Sequence, residues 1–84
     1  MSKVLTDQEM LRNLSENLAI SLDAQEMSQA ELARRIGENE MRVSRYVRGE
    51  SMPGTGVILR IAEALDVSLE ELTLPPKKRK KKSA

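Results

Sequence analysis

The sequence predicts an all-α fold, a compact arrangement of five helices followed by a disordered basic tail. Three observations point there. Leucines at 11, 14, 18 and 22 recur at the spacing of one helical face, while no segment alternates apolar and polar residues with the period of two that a half-buried strand requires. Ser/Thr-x-x-Glu boxes open three stretches, at Thr6–Glu9, Ser28–Glu31 and Ser68–Glu71, each pairing a hydroxyl cap with a carboxylate that can reach back to it. Gly37 and Gly49 close two short apolar-periodic runs, where a sharply turning helix end favours a left-handed residue.

Taken in order, the first helix starts after Thr6 and runs to about Gln25. Ser28 caps the second, and Met27 before it is placed to staple against Leu32. Gly37 stops that helix, and Asn39 is the natural cap of the third, which runs to about Arg48 and ends at Gly49. Pro53, Gly54 and Gly56 mark a loop. The fourth helix follows, with Ile58, Ile61, Ala62 and Leu65 facing inward. Ser68 opens a short fifth helix carrying Leu69 and Leu72. Pro75-Pro76 ends the fold, because neither proline continues a helix. Residues 1–76 therefore form one domain, and residues 77–84 a tail that cannot bury anything.

Composition excludes several kinds of chemistry. Without cysteine there is no disulfide, thiolate metal site or cysteine nucleophile. Without histidine the usual general base and the commonest zinc ligand are missing. Carboxylates abound, but none is expected in a pocket with a base or metal, so we expect no enzyme, no metal and no cofactor. A single aromatic residue, Tyr46, argues against base-stacking platforms for single strands or RNA. No apolar run approaches a membrane span or a signal-peptide core, and a cytoplasmic location is the expectation.

The net charge of +1 conceals an asymmetry. Residues 77–82, KKRKKK, hold 6 of the 14 basic residues and no acidic one, leaving residues 1–76 with 8 basic against 13 acidic groups, a net −5. Five of those 8 (Arg34, Arg35, Arg42, Arg45 and Arg48) fall in one short stretch. An acidic body is thus locally basic.

That stretch carries the functional signal. Gln29, Ala33, Gly37, Val43 and Tyr46 occupy the positions that define a helix-turn-helix. Ala33 is small where two helices cross, Gly37 makes the turn, and Leu32, Ile36, Val43 and Tyr46 face the core. An arginine-bearing helix braced in this way suits the major groove of double-stranded DNA. This spacing, with the continuation SRYVRGESMP…VILRIAEALDVSLEEL, closely resembles the lambda-repressor-like (Xre-type, Cro-like) family of transcription regulators over roughly residues 9–73. Two positions depart from the family pattern: Glu38 stands where an apolar turn residue is usual, and Val47 where glutamate is frequent.

The resemblance implies that the exposed side of the third helix reads base edges, which maps onto Glu40, Met41, Arg42, Ser44 and Arg45. Arg42 or Arg45 can pair bidentately with guanine, Glu40 can accept from a cytosine amino group, and Met41 can touch a thymine methyl. Glu40 could equally just complement the helix dipole. Gln29 matches the family position where a side chain and a helix-end amide hold a phosphate. Asn39, Arg48, Ser51 and Thr55 complete the expected phosphate-binding set. The tail Lys77, Lys78, Arg79, Lys80, Lys81 and Lys82 reads as a non-specific DNA tether, a nuclear-import signal if the host has a nucleus, or a solubilising tail.

One such module buries a small DNA interface, so the expected regulator is a homodimer on a palindromic operator, repressing by occlusion. Val67, Leu69, Leu72 and Leu74 form the candidate dimer surface, or equally simply cover the core. The alternative is an antitoxin-type component that binds a protein partner as well as operator DNA, with Asp7, Glu9, Glu16, Asp23 and Glu26 on the first helix available to that partner.

Overall fold

A computed structural model describes residues 5–76. Five helices follow one another: α1 Asp7–Ala24, α2 Gln29–Ile36, α3 Glu40–Val47, α4 Thr55–Leu65 and α5 Leu69–Thr73, with no strand among the described residues. The all-α, five-helix expectation holds, and the helix starts fall where the cap residues placed them. Thr6 accepts from the Glu9 amide at 3.0 Å and its own amide donates to Glu9 Oε1 at 2.9 Å. Ser68 and Glu71 repeat the arrangement at α5, with distances of 3.0 and 2.8 Å. Each box satisfies two helix-end donors that have no partner within the helix.

At α2 the expected box is only half built. Ser28 Oγ accepts from the Glu31 amide at 3.0 Å, but the Glu31 carboxylate turns away to Arg34 and to Arg35 Nε, the latter at 2.8 Å. Two guanidinium groups one turn ahead outcompete a neutral amide for a carboxylate, because charge-assisted hydrogen bonds are the stronger ones. Met27 does pack against the core, as a staple residue should. At α4, Gly54 is the N-cap and makes no side-chain cap bond; Thr55 and Gly56 are already helical rather than part of the loop. With no hydroxyl cap in the sequence to mark the start, that boundary was the least legible.

Four helix ends share one construction. The amides of Met27, Glu38, Glu50 and Val67 reach back five residues to the carbonyls of Leu22, Ala33, Arg45 and Ala62, at 2.8–3.0 Å. Each such reversal needs a left-handed residue one position earlier. Glycine supplies it at Gly37 (φ 75°) and Gly49 (φ 74°), whereas Glu26 (φ 54°) and Asp66 (φ 58°) adopt it despite their side chains.

The core is assembled from all five helices: Leu14, Leu18 and Leu22 of α1 meet Leu32 and Ile36 of α2, Val43 and Tyr46 of α3, Ile61 and Leu65 of α4, and Leu72 of α5, all buried. Leu11, the first leucine of the expected α1 stripe, is only half-buried. Leu72 is fully buried, so it does not belong to the candidate dimer surface. It lies on the side of α5 turned into the core, while Leu69 and Leu74 stay exposed at 43% and 40%.

The buried face of α1 also contains Asn13 and Asn17, and their amides seal the end of α5. Asn13 Nδ2 donates to the Thr73 carbonyl at 2.8 Å, and Asn17 Nδ2 donates to the carbonyls of Leu72 and Leu74, both at 2.8 Å. Gln25 Nε2 does the same for α4, donating to the Leu65 carbonyl at 2.7 Å. Carbonyls left without a partner at a helix C-terminus are thereby satisfied from a neighbouring helix rather than from water.

Candidate nucleic-acid interface

The placement of α3 is over-determined. Asn39 Oδ1 accepts from the Arg42 amide at 2.8 Å and starts the helix, and the left-handed Gly37 two residues earlier sets its direction relative to α2. Val43 and Tyr46, three residues apart on one face, are buried against the core. Met41 and Arg45 lie opposite that pair and Glu40 and Arg42 flank it, and all four are exposed, Met41 at 63%. Ser44 is half-buried at the edge of that face. Four of the five expected base-reading residues are thus exposed on α3, and Ser44 is partly so.

The residues expected to hold phosphates are more dispersed. Asn39 commits its side-chain oxygen to the cap. Arg48 is the residue that ends α3, and Ser51 lies half-buried in the loop after it. Thr55 is exposed as the first residue of α4, and Gln29 is half-buried as the first residue of α2. Gln29 borders a groove shared with Leu22, Asp23, Met27 and Val47, so the start of α2 lies beside the end of α3. Lys77, Lys78, Arg79, Lys80, Lys81 and Lys82 lie outside the described residues.

Each arginine on this surface has an internal partner. Arg42 Nε stands 3.6 Å from Glu38 Oε1 and Arg45 Nη2 stands 3.7 Å from Met41 Sδ. Arg48 is the most engaged: Nη1 donates to Ser44 Oγ at 2.9 Å, while Nε and Nη2 donate to the two oxygens of Glu50 at 3.0 and 3.2 Å. Those hydrogen bonds and the charge of Arg48, with Arg45 adding to the field, hold the Glu50 carboxyl below the usual glutamate range. Glu50 was not among the sequence-derived site residues. The available signal was an opposite charge two residues from Arg48 across a glycine that reverses the chain. Glu38, flagged in the sequence as a departure from the family pattern, is largely shielded, its side chain 17% exposed, and serves as the partner of Arg42. Arg60 was also passed over; its Nη1 donates to the Ile36 carbonyl at 3.0 Å and closes the end of α2 from α4.

Among the described residues no three acidic side chains gather into a group that could hold a metal ion. No helix among them is long and apolar enough to cross a membrane.

A helix pair seated in the core through Ala33, Val43 and Tyr46, a left-handed glycine turn and an exposed arginine-bearing second helix define a helix-turn-helix protein. Residues 22–72 match the helix-turn-helix family model, and the chain belongs to the lambda-repressor-like (Xre-type) helix-turn-helix family of transcription regulators. It is 38% identical over 66 residues to the uncharacterized HTH-type transcriptional regulator y4dL of Sinorhizobium fredii. That match takes in 79% of this chain but 32% of the relative, so the chain spans about a third of the curated protein it matches. Its fold is similar to the crystal structure of the hypothetical transcription factor NHTF from Neisseria, with a TM-score of 0.78, 30% identity, and 94% and 92% of the two chains covered. The solution structure of the SOS-response transcriptional repressor LexA from Eubacterium rectale has the same TM-score at 22% identity, covering 96% and 84%, and shares the fold.

Proposed function

We propose that this chain is a sequence-specific regulator that binds double-stranded DNA, acts as a repressor, and presents α3 to the major groove as one half of a homodimer on a palindromic operator. The supporting observation is the division of α3. Val43 and Tyr46 are buried to lock its angle, while Glu40, Met41, Arg42 and Arg45 face outward together. A helix of this width fits the major groove, where arginine distinguishes guanine by a bidentate pair. Asn39, Arg48, Ser51, Thr55 and Gln29 flank that face and fix the register through phosphates, which carry no sequence information themselves. Leu69 and Leu74, exposed on and just after α5, with the half-buried Val67 beside them, are the apolar surface for the second copy. Two copies would place two α3 helices about 34 Å apart, one helical turn of DNA. Repression follows from occluding the polymerase, in a cytoplasmic setting.

Selection of bound sequences from random duplexes at fixed salt tests this. A motif with two-fold symmetry and half-sites one turn apart is expected. An asymmetric motif would reject the homodimer, and no enrichment at all would reject sequence-specific binding. Deleting residues 77–84 should weaken binding to every sequence about equally, because a lysine tail contacts phosphates only.

A further inference from the structure

Arg48 closes the arginine row of α3, yet its guanidinium does not face solvent unopposed. Its Nε–Nη2 edge, the geometry that would clasp a phosphate, is filled by both oxygens of Glu50, and Nη1 is on Ser44. Glu50 is not a wandering surface carboxylate. Gly49 at φ 74° reverses the chain immediately before it, and the Glu50 amide donates to the Arg45 carbonyl at 2.8 Å. The turn is also seated on α1, since a side-chain carbon added at Gly49 would meet Ser15 at 3.5 Å. The carboxylate is therefore delivered to Arg48 by fixed backbone.

Fold stability does not account for this pair. Both side chains are more than half exposed, 56% for Arg48 and 54% for Glu50, and exposed ion pairs contribute little to stability. Its consequence falls on the surface where DNA would lie. Resting on the DNA-binding reading above, we propose that Glu50 is an affinity-setting residue: it occupies Arg48 in the free protein, competes with a DNA phosphate for the same edge, and so weakens the sequence-blind part of binding. A phosphate approaching Arg48 either displaces Glu50 or meets a cation already neutralised. Because the grip of Arg48 would be on the backbone, damping it costs affinity for every sequence while leaving the base-reading face of Glu40, Met41 and Arg45 untouched. Absolute affinity falls while the ratio of specific to non-specific binding is preserved.

The test measures the salt dependence of full-chain binding to a short random-sequence duplex, for the wild type, Glu50→Gln, Arg48→Ala and the double variant. Glu50→Gln is expected to bind up to about fivefold tighter at low salt, the upper end of what an exposed pair is worth. Its log–log salt slope should steepen by about 0.9, one further phosphate neutralised. With Arg48→Ala in place, Glu50→Gln should no longer steepen the slope. A gain in affinity cannot come from damage to the fold. Wild-type binding with a slope that Glu50→Gln leaves unmoved, weaker binding by Glu50→Gln, or an equal steepening without Arg48 would each overturn the role of Glu50 and leave the DNA-binding reading standing. Failure of every variant to retain duplex would overturn both.

Discussion

One amide nitrogen of Asn17 donates to two carbonyls, those of Leu72 and Leu74, each at 2.8 Å, and so ties the middle of the first helix to the end of the last. Asn17 is fully buried. Asn17→Ala removes this donor from both carbonyls, the Leu72 one in a buried setting, which is expected to lower unfolding stability by about 1–3 kcal/mol, read by urea or thermal denaturation. Asn13→Ala, which frees only the Thr73 carbonyl, should have the smaller effect.

The four left-handed helix ends make opposite expectations for glycine and non-glycine positions. Gly37→Ala forces a side chain into φ 75° and should cost about 1–2 kcal/mol, even though nothing lies within 4 Å of the added carbon. Glu26→Gly relieves that strain at φ 54° and should raise stability by roughly 0.5 kcal/mol, part of the gain being offset by the freer unfolded chain. Melting temperatures of the two variants should move in opposite directions.

Much of the fold was legible because its signals are local. Thr6, Ser28, Asn39 and Ser68 cap helices within three residues of themselves, Gly37 and Gly49 turn the chain where they stand, and leucine spacing marks the inner faces. What escaped depends on distance along the chain. Asn13 and Asn17 resemble solvent-facing residues of α1 until α5 arrives more than fifty positions later. Whether Leu72 joins a subunit surface or covers the core is not legible in the sequence, because a five-residue helix has too few residues to show which side faces in. At the site, the exposed face of α3 followed directly from subtracting Val43 and Tyr46. The partners of its arginines did not, since Glu38 and Glu50 act through turns whose geometry the sequence only hints at.

Acidity should reach the site through Glu50. Its carboxyl is held below the usual range in the folded chain, mainly by the hydrogen bonds and charge of Arg48, so the pair's contribution is present above the unfolded glutamate value. It is lost as pH falls through the depressed folded value. Comparing thermal midpoints of the wild type and Glu50→Gln across that range should show a small wild-type advantage near neutrality that vanishes on acidification. The same advantage should shrink in high salt, because both partners are exposed.

The most direct measurement of the central claim, that the outward face of α3 reads base edges, is duplex selection at fixed salt repeated with Arg45→Ala. Arg45 is exposed on that face and its side chain makes a weak contact with the Met41 sulfur, so truncation should leave the fold intact. The expected result is a motif relaxed at one base pair in each half-site, with a loss of about 1–3 kcal/mol on the preferred sequence. A selected motif identical to that of the wild type would contradict it.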